Sequence, residues 1–226
     1  MRTRSSTSQP TAMLVLVFAL AGALAVPLHT IATPLAAIIA AAIGLAALRV
    51  WRWSGLPQPA RAEGRRALLW LCLGLCVGLL VLAVIRLVIE PIVPAIGARM
   101  AVAGTMSVWR RLEIIYVAAV VEELIFRVLL LSAVSGILAR LSRSITRPSA
   151  SHVWIANAVS ALLFGGVHLF SWSAGTGPAL PLTVVLLNFL GGLAFGYVFA
   201  TRGIVAAMWT HAGADCAIQL IGPLTG

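Results

Sequence analysis

Apolar blocks recur along this 226-residue chain near residues 12–29, 33–50, 67–89, 112–139, 153–170, 181–200 and 204–221, with no polar stretch between them long enough for a water-soluble domain. A hydrocarbon core of about 30 Å is crossed by about 20 residues of helix, so block lengths of this size set the fold before any motif is considered. The spacing predicts an all-α fold, a polytopic membrane helix bundle of about seven transmembrane helices. An ordinary soluble domain carries about a quarter charged residues. Here 10% are charged and 61% are hydrophobic, which excludes that class.

Pro27, His29, Thr30 and Pro34 interrupt the first two blocks, as expected for short helices joined by a Pro-bounded turn. Arg2 and Arg4, an apolar centre and the small residues from Ala21 to Ala25 have the look of a secretory signal. A further span begins almost at once, so an uncleaved helix is expected. Residues 1–66 then form an N-terminal helical pair with a basic cytoplasmic linker. Residues 67–226 form the membrane-embedded core, and the two parts are expected to fold as one unit. The less apolar stretch from Glu90 to Ser107 reads as a re-entrant segment or an amphipathic surface helix.

The formal charge of +10 comes from 16 arginines, with no lysine, against six acids. The arginines fall mostly between apolar blocks, where the positive-inside rule places them. With a cytoplasmic N-terminus, eleven lie on the cytoplasmic side and only three, Arg99, Arg110 and Arg111, on the other. An integral, multi-pass membrane protein with its N-terminus in the cytoplasm follows, with the bilayer as its surroundings. Basic and aromatic residues interleave only at Arg49-Val50-Trp51-Arg52-Trp53, the pattern of an interface anchor, so no nucleic-acid partner is expected. Cys72, Cys76 and Cys216 are too few for a disulfide framework and read as small buried hydrophobes.

A charge near the bilayer centre costs at least about 2.5–3.5 kcal/mol, so each one needs a reason. Glu122, Glu123, Arg127, His168, His211 and Asp215 all fall within predicted spans. Glu123 and Arg127 are four residues apart on one face and can pair; Glu122 points about 100° away and needs a partner on another helix. His168 ends a run with Gly165 and Gly166, which allow close approach of a neighbour. His211 and Asp215 repeat the four-residue spacing, so the carboxylate can orient the imidazole. Packing by interhelical hydrogen bonds explains any one of these groups, as it explains Asn188. Together they suit a proton path, a metal site or a hydrolytic site. Ser132, Ser135 and Ser160 lack the setting of a nucleophile. Arg86 with Glu90, and His29 and His152 at span edges, need no chemistry.

At these residues the sequence resembles the CPBP family of intramembrane proteases, also called the CAAX protease and bacteriocin-processing or Abi family. Glu122-Glu123-Leu-Ile-Phe-Arg127 is similar to its EExxxR motif, Phe164-Gly-Gly-Val-His168 to its FxxxH, and His211-Ala-Gly-Ala-Asp215 to its HxxxN/D. All three occur in order within residues 110–221. The resemblance implies a glutamate-dependent endopeptidase acting on a peptide or membrane-protein substrate without a cofactor. Glu122 and His168 would activate water, and His211 and Asp215 would stabilise the oxyanion. Glu123 and Arg127 would support the site or clamp a substrate carboxylate. Asp215 stands where better-known members carry Asn, and an ionised Asp repels an oxyanion; the expectation is that it orients His211 as the donor.

Three other readings compete. In a zinc-dependent peptidase Glu122, His168, His211 and Asp215 would be the ligands, although there is no His-Glu-x-x-His helix. A non-catalytic scaffold or bacteriocin-immunity protein would retain the fold alone. A proton-coupled transporter would show paired broken helices, which this chain lacks. Oligomeric state and substrate identity do not follow from the sequence.

Overall fold

A computed structural model describes residues 8–24, 32–56, 66–142, 147–172 and 179–225. Every element among them is helical: α1 (Ser8–Leu24), α2 (Ala32–Ser54), α3 (Ala67–Val84), α4 (Ala95–Gly104), α5 (Val108–Glu122), α6 (Ser132–Leu141), α7 (Ala150–Val167), α8 (Leu169–Trp172), α9 (Ala179–Arg202) and α10 (Ile204–Cys216). Three wide π-helical turns continue α3, α5 and α10, over Ile85–Ile89, Glu123–Leu131 and Ala217–Ile221.

The chain is a polytopic helical bundle. Five helical stretches have the length and composition to cross a membrane: Thr33–Ser54, Ala67–Ile89, Ala150–Val167, Ala179–Arg202 and Ile204–Leu224. The block expected at 112–139 is longer, because α5, its π-helical continuation and α6 run without a break from Val108 to Leu141. Its charges, not its length, set it apart from the other five. The first block is a 17-residue helix. Pro27, His29 and Thr30, Arg2 and Arg4, and much of the basic linker fall outside the described residues; Pro34 sits in the first turn of α2, where its missing N–H costs nothing.

Helix boundaries follow local chemistry. Ser107 caps α5 by accepting from the Arg110 N–H at 3.2 Å. Ser149 and His152 form a reciprocal capping box at the start of α7, which accounts for His152 at a span edge. Between α9 and α10 the chain reverses at Gly203, whose φ of 90° lies in the region that only glycine enters cheaply.

Close packing relies on residues without side chains. A Cβ at Gly74 on α3 would overlap the Thr210 carbonyl of α10, and one at Gly213 on α10 would overlap the Leu71 carbonyl of α3. In lipid, helices associate through such contacts because burial of apolar surface gives no gain. Gly74→Ala is therefore expected to cost about 1–3 kcal/mol, read as a lowered unfolding temperature in detergent. Gly166→Ala is the control, since a Cβ there meets nothing within 4 Å.

Two apolar cores stack along the bundle. One, including Trp51, Leu124, Val128, Leu131 and Phe199, lies toward the arginine-bearing ends of α2, α6 and α9. The other, including Leu82, Ile85, Ile96, Met100 and Val184, lies toward α4. The Glu90–Ser107 stretch is thus a short helix that buries Ile96, Gly97 and Met100 against its neighbours. Large apolar side chains such as Leu16, Ile38, Leu80, Leu162 and Leu182 remain exposed on the outside. Cys72 and Cys76 share this outer surface, so the expectation that they are buried fails: their face of α3 turns away from α10.

Candidate active site

Glu122 ends the regular part of α5 and Glu123 opens the π-helical turn. A widened turn leaves carbonyls poorly paired, and buried carbonyls need partners. Ser160 Oγ donates to the Phe126 carbonyl at 2.6 Å and Ser132 Oγ to the Arg127 carbonyl at 3.2 Å. These serines serve the backbone.

Glu123 and Arg127 are both 0% exposed, with Arg127 Nε 3.4 Å from Glu123 Oε2. Arg127 also donates to Ser160 Oγ at 3.4 Å and lies over the Phe164 ring, 5.0 Å from its centre. The pair predicted from the four-residue spacing is present. A clamp for a substrate carboxylate is not, because Arg127 reaches neither surface nor cavity wall.

Glu122 finds its partners on other helices. His168 Nε2 lies 3.8 Å from its Oε1 and His211 Nε2 lies 3.6 Å from its Oε2. His168 follows the last residue of α7, where its Nδ1 lies 2.7 Å from the Phe164 carbonyl. A carbonyl only accepts, so Nδ1 carries the proton, and in the neutral ring the Nε2 lone pair faces Glu122. Gly165 brings α7 onto the Val185 carbonyl of α9, as its position suggested; Gly166 faces open space.

His211 is 3% exposed. Phe195 stacks on its face with ring centres 4.4 Å apart, and Phe164 meets it edge-on at 5.9 Å. Its Nδ1 lies 3.0 Å from Glu123 Oε1. Glu123, paired with Arg127, is an acceptor, so His211 donates from Nδ1 and presents Nε2 to Glu122. This corrects the expectation for Asp215. Its Oδ2 is 3.7 Å from Nε2, too far for a hydrogen bond and on the nitrogen that faces Glu122. The four-residue spacing brings Asp215 beside the ring, but the short side chain stops there; the longer Glu123 reaches the other nitrogen from the neighbouring helix.

All four expected residues, Glu122, His168, His211 and Asp215, line one cavity of about 270 Å³. The rest of its wall is largely apolar, with Val81, Ile85, Met100 and Leu187 among it. Two wall residues escaped the sequence reading. Asn188, taken there as helix glue, does donate to the Val184 carbonyl at 2.9 Å, yet it also lines the cavity. Gln219 lines it too, while its own carbonyl accepts from Arg111 at 3.0 Å. A lone amide on an apolar helix carries no signal of which way it faces. Arg86 pairs with Glu90 at 2.6 Å and donates to the Gly222 carbonyl, tying α3 to the end of the chain. Among the described residues, no group of three or more His, Cys, Asp or Glu side chains is arranged to hold a metal ion.

The family model for the type II CAAX prenyl endopeptidase, Rce1-like, matches residues 103–217, about half of the chain. The chain belongs to this family. Its matched region contains the Glu122-Glu123, Phe164-to-His168 and His211-to-Asp215 motifs together. Membership supports a CAAX protease-type endopeptidase that meets peptide substrates in a membrane. No curated protein and no solved structure matches the chain.

Proposed function

We propose that the protein is a glutamate-dependent intramembrane endopeptidase in which Glu122 and His168 activate the attacking water and His211 stabilises the oxyanion. The observation that carries this reading is the convergence of Glu122, His168, His211 and Asp215, from three separate helices, on one mostly apolar cavity. Water seated beside Glu122 Oε1 and His168 Nε2, 3.8 Å apart, is within hydrogen-bond reach of both. Glu122 takes a proton as the water oxygen attacks the scissile carbonyl carbon, and returns it to the leaving nitrogen. His211 donates to the oxyanion from Nε2. Since Nδ1 is committed to Glu123, this requires the imidazolium, which lies among the Glu122, Glu123 and Asp215 carboxylates. Asp215 then balances charge at the edge of the site.

The arginine distribution supports a cytoplasmic N-terminus; the membrane proposed is the plasma membrane of a bacterium. The packing of α1 on α2 and α5, with the Tyr116 hydroxyl donating to the Val17 carbonyl at 3.2 Å, supports one folded unit spanning residues 1–66 and 67–226.

Comparing the termini of membrane proteins from cells carrying wild-type or Glu122→Gln protein tests the reading. New termini present only with the wild type are expected, and identical sets would return the protein to the scaffold class. In this scheme no metal takes part, so cleavage should survive a strong chelator. Loss on chelation with recovery on added zinc would replace it with the zinc-peptidase mechanism.

A further inference from the structure

The bundle has two unlike ends. Arg52 near the end of α2, Arg66 before α3, Arg140 near the end of α6, Arg147 before α7 and Arg202 at the end of α9 mark one of them. Contacts join these positions: Arg140 donates to the Trp53 carbonyl at 2.8 Å, and Arg202 lies over Trp70, 5.9 Å from the ring centre. The other end carries α4.

The cavity is not placed evenly between them. From α3 it takes Val77, Val81 and Ile85 but not Trp70; from the Val108–Leu141 run it takes only residues up to Glu122. From α7 it takes Phe164 and His168 at the end away from Arg147, from α9 the middle, Val184 to Phe195, and from α10 the residues from His211 onward. Every helix but α9, which contributes its middle, thus lends the portion nearer α4. Toward the arginine end the Phe164 and Phe195 rings form a floor against His211. Beneath it Leu124, Val128, Leu131, Ala206 and Ala207 are no more than 2% exposed. Neither water nor a peptide passes through such packing.

Arginine-rich loops remain in the cytoplasm. We infer that the cavity takes water and substrate from the membrane face opposite those loops, and that its substrate is an uncharged, apolar segment of an exported or membrane-inserted polypeptide. The inference rests on the hydrolytic reading of the site for the word substrate, and on the fold and the arginine distribution for the direction of access. Its apolar part follows from the walls. Among the described residues the polar side chains on them are the two carboxylates, the two imidazoles, Asn188 and Gln219, so a free carboxylate close to the cut would meet Glu122 and Asp215 with no guanidinium among these residues to offset them. An unwound apolar segment fits better. Its freed peptide groups have the amides of Asn188 and Gln219 to bond with, which backbone at membrane depth requires.

Single cysteines in a full-length protein with Cys72, Cys76 and Cys216 replaced by Ala test the direction of access. Ala118→Cys and Gln219→Cys report on the cavity wall, and the exposed Thr201→Cys on the arginine end. A charged, membrane-impermeant maleimide is applied to right-side-out and to inverted vesicles. The two wall cysteines are expected to react only in right-side-out vesicles and Thr201→Cys only in inverted ones. Wall labelling from the inverted side, from both sides or from neither overturns the inference. Repeating the labelling with Glu122→Gln separates the two ideas: unchanged labelling together with unchanged termini would sink proteolysis and leave the direction of access standing. Among peptides cleaved by the wild type, placing Asp beside the scissile bond is expected to abolish cutting. Continued cutting overturns the substrate class.

Discussion

Glu122→Gln is expected to lower the rate of peptide cleavage by about 10²–10⁴-fold, the contribution of a positioned general base. The amide keeps the shape of the carboxylate and can still touch a water, but it cannot take the proton. The side chain is 27% exposed and makes no hydrogen bond shorter than the 3.6 and 3.8 Å approaches to the two imidazoles. Its loss should therefore shift unfolding by no more than about 0.5 kcal/mol, as for substitutions away from packed features. Rates on a peptide identified from the cellular termini, alongside thermal unfolding in detergent, measure both. A Gln variant that cleaves at the wild-type rate would remove Glu122 from the chemistry. One that unfolds early would make the rate uninformative, and Glu122→Asp, which keeps the charge but retracts it by one methylene, then serves in its place.

Glu123→Gln is expected to destabilise the fold by about 3–5 kcal/mol, because it strands a buried guanidinium without its counter-charge. Arg127 has no route to solvent at 0% exposure, and its remaining contacts are to Ser160 and the Phe164 ring. Adding Arg127→Met should restore much of that stability, since it removes the buried guanidinium that Glu123→Gln leaves without a counter-charge. Cleavage should not return with it. His211 would still lack the carboxylate that receives Nδ1–H at 3.0 Å, and outer partners of this kind set the tautomer of a working imidazole. Recovered stability without recovered rate assigns Glu123 to positioning; recovery of both makes it packing alone.

The helices and the ionisable cluster could be read from the sequence because lipid makes both conspicuous. An apolar block needs about 20 residues to cross, and a charge inside one is costly enough to stand out. The four-residue spacing of Glu123 and Arg127 translated directly into an ion pair, and the isolation of Glu122 into a need for partners on other helices. The error over Asp215 has a geometric origin. Spacing along one helix states which side chains are neighbours, but which nitrogen of His211 each acid meets depends on how α10 sits against α5, and no local pattern encodes that. The same holds for Asn188 and Gln219, whose place on the cavity wall is a property of six helices at once. The two faces of α3 were equally silent, since Cys72 and Cys76 look alike to lipid and to core.

The wide turn at Glu123–Leu131 bears on any attempt to transplant this chemistry into another protein. Copying the four polar residues onto a regular four-helix scaffold would set Glu122 at the right height but leave out the wide turn behind Glu123. It would also omit the hydroxyls that the turn demands at positions 132 and 160. A working graft has to carry the irregular backbone and its two serines as part of the functional group, so the smallest portable unit is three packed helices and not a set of side chains.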